Sequence, residues 1–228
     1  MASKSSVLES KVYDFIDELA DEFDLPVIPL PEVYWVGKNF SYDRIGLFGE
    51  DREDCKEKAS SGKSMFIVSK NIIVIGEDSP VHICEEATHC VHFSNADLRS
   101  RYRRKEGFLA LNSIIEMIGF FGSKLQSPSR KNIYRAYPDP LFDRKEYIKF
   151  EEKFCFDREN YFIYKNGYDM GEKLYDAYIS SEISKEFIRE LLLNDFSKKG
   201  SVDLMFSYLK LGVLNFENRL PTQTQVSR

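Results

Sequence analysis

The chain reads as an α+β fold: an N-terminal helix, a small twisted β-sheet, and then helices for the rest of its 228 residues. Three observations predict this. Apolar residues recur at helical spacing up to Phe23, short β-branched and aromatic runs crowd the stretch from Val33 to Ile75, and helix-start signals take over from Ser79. With 43% hydrophobic and 14% aromatic residues, a chain of this length has ample material for a buried core.

In chain order, Val7, Leu8, Val12, Phe15, Ile16, Leu19, Ala20 and Phe23 alternate with acids in a 3.6-residue rhythm, which predicts an amphipathic helix over 6–23. Pro26, Pro29 and Pro31 prevent its continuation. Val33–Val36 and Arg44–Phe48 read as short strands, and Met65–Val68 and Ile72–Ile75 flank Ser69-Lys70-Asn71 as a hairpin. Glu50–Lys63 is charged and ends in Ser-Ser-Gly, so it reads as a surface loop with at most a helical turn. Ser79 then offers an N-cap and Pro80 suits the first helical position, predicting a helix to about Ser94–Asn95. Arg99–Lys105 is a basic, exposed loop. Phe108–Phe121 carries one charge, Glu116, in a helix apolar almost all round and therefore buried. Tyr137-Pro-Asp-Pro140 reads as a rigid connector, Arg144–Phe156 as a charged helical segment, and further helices are expected from Asn166 to Tyr178, Ser184 to Asp195 and Val202 to Leu211. These divide into a core over 1–140, a helical part over 141–219 packed on it, and a disordered tail over 220–228.

Charge and cysteine usage narrow the setting. A formal charge of -5 argues against a dedicated nucleic-acid binder. Cys55, Cys84, Cys90 and Cys155 show no CxxC pairing and read as reduced thiols of a cytoplasmic protein. The polar opening MASKSS lacks a signal-peptide core, and no apolar run approaches the ~18 residues that cross a bilayer, so neither secretion nor a membrane partner is expected.

The helix from Ser79 carries the chemistry. His82-Ile-Cys-Glu85-Glu86-Ala-Thr-His89-Cys-Val-His92 holds all three histidines of the chain and two adjacent carboxylates. At ~100° per residue, these five polar side chains share an arc of roughly 120°. A charged surface helix would ordinarily use Lys and Glu, so the histidines favour a ligand wall over a solvated face. The lone Glu116 of the apolar helix needs a proton, a cationic partner or a metal, since an unpaired buried ion costs several kcal/mol. One of the arginines at 99–104 could pair with it, but the nearby histidines favour a metal.

Over roughly residues 65–125 the order of a strand, a helix bearing Glu85-Glu86-Ala-Thr-His89 and a helix with a buried Glu116 resembles the zincin metallopeptidases, specifically the small gluzincins. In that family an HExxH helix supplies two histidine ligands and a general-base glutamate, and the next helix supplies a glutamate ligand. The resemblance implies a zincin-like fold with His89 as second ligand, Glu86 as general base and Glu116 as third ligand. It also implies that an outer strand aligns an extended peptide or protein substrate. A Tyr-x-x-Gly helix start occurs in similar families, which makes Tyr168 a candidate oxyanion donor.

At the first ligand position Glu85 replaces histidine. A set of Glu85, His89 and Glu116 gives the cation two anionic ligands, lowers its Lewis acidity, and leaves zinc as the expected metal with manganese or iron as harder alternatives. The expected function is then a metal-binding zincin-like protein with weak or lost peptidase activity. The alternative is a metal-free interaction scaffold in which at least one glutamate is protonated or paired with a histidinium. Other registers fit less well. Glu85, His89 and His92 cannot all meet one ion, because the outer pair lies roughly 10.5 Å apart along the helix, although His82 or His92 could stand in for Glu85. His92 also occupies the place of the metzincin glycine, the inverted HxxEH motif lacks its last histidine, and a di-iron bundle would need a second ExxH.

Overall fold

The computed structural model describes residues 4–36, 40–47, 49–76, 79–96, 108–133, 158–194 and 196. The described elements are α1 (Lys4–Phe23), β1 (Glu32–Trp35), a 3-10 turn (Tyr42–Ile45), α2 (Gly49–Ser60), β2 (Met65–Ile67) and β3 (Ile72–Ile75). They continue with α3 (Pro80–Asn95), α4 (Phe108–Gln126), α5 (Arg158–Ile179) and α6 (Lys185–Leu193). The class is α+β, as the sequence predicts. The basic segment 99–105, the connector 137–140, the segment 144–156, the helix expected over 202–211 and the tail 220–228 lie outside the described residues.

The sheet has the order β1-β3-β2, with β1 parallel and β2 antiparallel to β3. β3 is buried along its whole length, and its two faces enter two cores. Ile73 and Ile75 join Leu8, Val12, Phe15 and Leu19 of α1 with the apolar faces of α3, α4, α5 and α6. Ile72 and Val74 pack instead on Ile45, Leu47, Cys55 and Ala59. This is the period-2 alternation of a strand covered on both sides. At the hairpin, Asn71 adopts φ 54°, a conformation asparagine tolerates better than most residues. Its side-chain amide donates to the Pro29 and Leu30 carbonyls at 3.3 and 3.2 Å, tying the proline loop to the sheet.

Four local expectations need correction. Arg44–Leu47 does not extend as a strand: a 3-10 turn ends at Ile45 and Gly46 follows at φ 61°. The charged 50–63 stretch is mainly helix α2, because Cys55 and Ala59, four residues apart, are both buried and anchor an otherwise solvated helix. Ser79 precedes α3 in extended conformation, but its side chain makes no capping bond. α5 begins at Arg158, well before Asn166, so Tyr168 sits within a helix and not at its start. A further difference concerns the strand that leads into α3. It is the central β3, and the outer strand beside α3 is β2.

Asn166-Gly167, which resembles a helix start in sequence, is a packing device. A Cβ at Gly167 would meet the Ser113 carbonyl at 2.9 Å and the Glu116 Cβ at 2.5 Å, and one at Gly171 would meet the Met117 carbonyl at 2.7 Å. Bare backbone on one face of α5 thus lets it lie directly on α4. Gly171→Ala is expected to destabilise the protein by about 1–3 kcal/mol through overpacking, measured by urea denaturation. Wild-type stability in this variant would show that the two helices have room to separate.

Candidate metal centre

Close approach of α3 and α4 builds the site. A Cβ at Gly119 would meet His89 Nε2 at 2.5 Å and Glu85 Cγ at 3.2 Å, and one at Gly122 would run into Thr88. Glu116, Gly119 and Gly122 therefore repeat every three residues along the face of α4 that receives Glu85, Thr88 and His89. Thr88 turns its hydroxyl back onto the Cys84 carbonyl at 2.6 Å, so its own polar group is satisfied within α3. One ligand atom each from Glu85, His89 and Glu116 lies within 4.8 Å of the others, with Glu85 and His89 buried and Glu116 partly so.

The remaining polar residues of the α3 arc go elsewhere. His92 is fully buried, its Nε2 lies 3.4 Å from the Asn194 carbonyl, and its ring packs on Phe93 and Phe196. It serves the contact with the end of α6. His82 is likewise outside the ligand group, so neither histidine takes the place of Glu85 among the described residues. The Glu86 carboxyl faces the backbone N–H of Phe66 in β2, which draws its pKa down.

Glu85 is held from both sides. Its Oε2 accepts Arg130 Nη2 at 2.7 Å, with side-chain exposures of only 9% for Arg130 and 7% for Glu85, and its Oε1 accepts the Tyr168 hydroxyl at 2.7 Å. Arg130 Nη2 also lies 3.1 Å from that hydroxyl, Nη1 donates to Ser123 Oγ, and the guanidinium sits 4.6 and 5.1 Å from the Phe120 and Tyr168 ring centres. Tyr168, the sequence candidate for an oxyanion donor, thus has its hydroxyl engaged on Glu85. Arg130 is the residue that sequence reading misses. It follows Ser127-Pro128-Ser129 in a turn with no distinctive spacing, and the only signal for it is the general need of a buried carboxylate for a cation.

These contacts divide the protonation states. Burial drives the Glu85 carboxyl upward, but Arg130, then His89 and the Tyr168 hydroxyl, outweigh it and hold the group below the ordinary carboxylate range. Burial and then the charge of Glu85 push Glu86 up to about 8, against the pull of the Phe66 N–H, Lys58 and Arg130. Glu116 is raised well above its ordinary value by burial and then by Glu85 and Glu86, with Lys58 and Arg130 opposing. Burial lowers His89 to about 4 and His92 to about 3, so both rings are neutral at pH 7. The Nδ1 atoms of His89 and His92 are buried without a hydrogen-bond partner among the described residues. Without a cation, then, the cluster holds one carboxylate, one guanidinium, two protonated carboxyls and neutral imidazoles.

No family model, curated protein or solved structure matches this chain.

The shifts fix the sign of a pH dependence. The glutamates, raised in the folded state, stabilise it fully below their unfolded value of 4.5, and Glu86 loses that contribution as pH rises through about 8. The histidines, lowered in the folded state, contribute above 6.5 and lose that contribution as pH falls towards 4 and 3. From pH 6.5 to 8 the glutamates of this cluster dominate, because the unfolded-state histidines finish titrating just above 6.5. In chelator, stability should fall with rising pH by up to about 1.4 kcal/mol per unit for each retained proton, and the Glu86→Gln, Glu116→Gln double variant should flatten the slope. An equal slope in both proteins, by urea titration at pH 6.5 and 8, would refute these protonation states.

Proposed function

We propose that this protein is a zincin-like metal-binding protein in which Glu85, His89 and Glu116 hold a divalent cation, and in which peptide-bond hydrolysis is weak or absent. One observation carries the reading: three ligand side chains from two successive helices, in the order of the Glu-Glu-Ala-Thr-His motif and the later glutamate, converge within 4.8 Å. The donor set fits a cation. His89 is neutral, as a ligand must be, and among the described residues no hydrogen bond holds the Glu116 carboxyl. One imidazole and two carboxylates suit zinc, with manganese or iron favoured by the oxygen-rich set. When bound, such an ion supplies Lewis acidity towards water and a carbonyl oxygen.

The residues that hydrolysis would need are otherwise occupied, which supports the weak or inactive version. Glu86 as general base would first have to lose its own proton, which burial and the charge of Glu85 hold on, beside the Phe66 N–H. That N–H belongs to the outer strand along which an extended peptide substrate would align by strand addition. Tyr168 would have to leave Glu85 before donating to an oxyanion. Cys55, Cys84 and Cys90 are buried thiols that form no disulfide among the described residues, which fits a cytoplasmic setting, and no helix among those residues is long and apolar enough to cross a membrane.

A metal-free interaction scaffold is the second reading, and Arg130 favours it: the guanidinium already neutralises Glu85, so the cluster is charge-balanced without a cation. Elemental analysis of tag-free protein, after supply of zinc or manganese, separates the two. Near-stoichiometric metal in the wild type and its loss in Glu116→Ala are expected. A metal-free wild type would leave the scaffold. Any peptidase activity of the loaded protein should fall by about 100-fold or more in Glu86→Gln; unchanged cleavage would remove Glu86 as its base.

A further inference from the structure

Arg130 has no place in the zincin pattern, yet it is the most firmly held group of the cluster. The turn that carries it is closed by Arg130 N–H to the Ser127 carbonyl at 2.9 Å, just past the end of α4. Lys124 Nζ adds bonds to the Pro128 and Arg130 carbonyls at 2.8 and 3.2 Å. Beyond the turn, the Asn132 amide donates to Asp169 of α5 at 2.6 Å. The side chain is fixed as well, by Ser123 Oγ and by the Phe120 and Tyr168 rings. None of these contacts involves Glu85. The guanidinium is therefore pre-positioned beside the first ligand carboxylate, whether or not anything else binds there.

We infer that Arg130 is a built-in counter-cation that competes with a divalent metal for Glu85 and so holds the metal affinity of the site down. The inference rests on the metal-binding reading above and adds its regulation. A cation shared by Glu85, His89 and Glu116 must accept a carboxylate whose charge the guanidinium already neutralises, and it must sit close to that fixed positive charge in a poorly solvated seam. With Arg130 in place the apo state is satisfied, so the site fills only when metal is abundant. Without it, Glu85 becomes a buried carboxylate lacking a counter-charge, and a dication is the readiest substitute. Lys124 acts indirectly, as a positioning residue for the Arg130 turn.

The test is zinc titration by calorimetry on the full chain, with thermal unfolding measured with and without zinc. Arg130→Met should bind zinc on the order of tenfold or more tightly than wild type, unfold at lower temperature in chelator, and regain most of the loss on adding zinc. Arg130→Lys, which keeps the charge, should stay near wild type. Should Arg130→Met fail to fold, Arg130→Gln replaces the charge with a neutral hydrogen-bond donor and should show the same tightening. Equal or weaker zinc binding by the folded neutral variant, with Glu116→Ala still abolishing binding, would overturn the role of Arg130 and leave the metal reading intact. Zinc binding by none of these proteins would overturn both.

Discussion

The buried pair between Glu85 and Arg130 decides what every neighbouring group can be. Breaking such a pair from one side costs about 3–5 kcal/mol because the other charge is left stranded. The protein surrounds it accordingly with Tyr168, Ser123 and Phe120, so that α3, α4, α5 and the turn after α4 all meet at one carboxylate. Burial, and then the charge of the ionised Glu85, keep Glu86 and Glu116 protonated at neutral pH. The close helix contacts follow the same requirement. Gly119 and Gly122 let α3 reach α4, and Gly167 and Gly171 let α5 bring Tyr168 over the pair.

Much of this was legible in the sequence wherever periodicity was strong. α1, β1, the β2–β3 hairpin and α3 follow from apolar spacing and turn residues, and Glu116 stood out as the one charge in an apolar helix. α2 was hidden because only Cys55 and Ala59 anchor it, too few positions to mark a buried face. The start of α5 was misplaced because Asn166-Gly167 carries the same letters as a helix boundary, whereas the glycine is needed there for contact with α4. The meeting of Glu85, His89 and Glu116 could be expected from i, i+4 spacing and one long-range guess. Arg130 could not, since its relation to Glu85 spans 45 residues and exists only in the folded chain.

Chemically, the cluster has three donors that could hold a cation and the electrostatics of a self-neutralised core. Tyr168 is bonded to Glu85, and Glu86 faces the Phe66 N–H of the outer strand, so both are engaged within the fold. Under the proposed metal reading, a cation held there would stabilise the fold by an amount set by its concentration.

The most direct measurement is anomalous diffraction at the zinc edge from crystals of the full chain grown with zinc. A single peak within about 2.0–2.2 Å of a His89 ring nitrogen and of oxygens from Glu85 and Glu116 is the expected result. Density free of any peak between α3 and α4, with Arg130 still on Glu85 and zinc bound only at the surface, would contradict it.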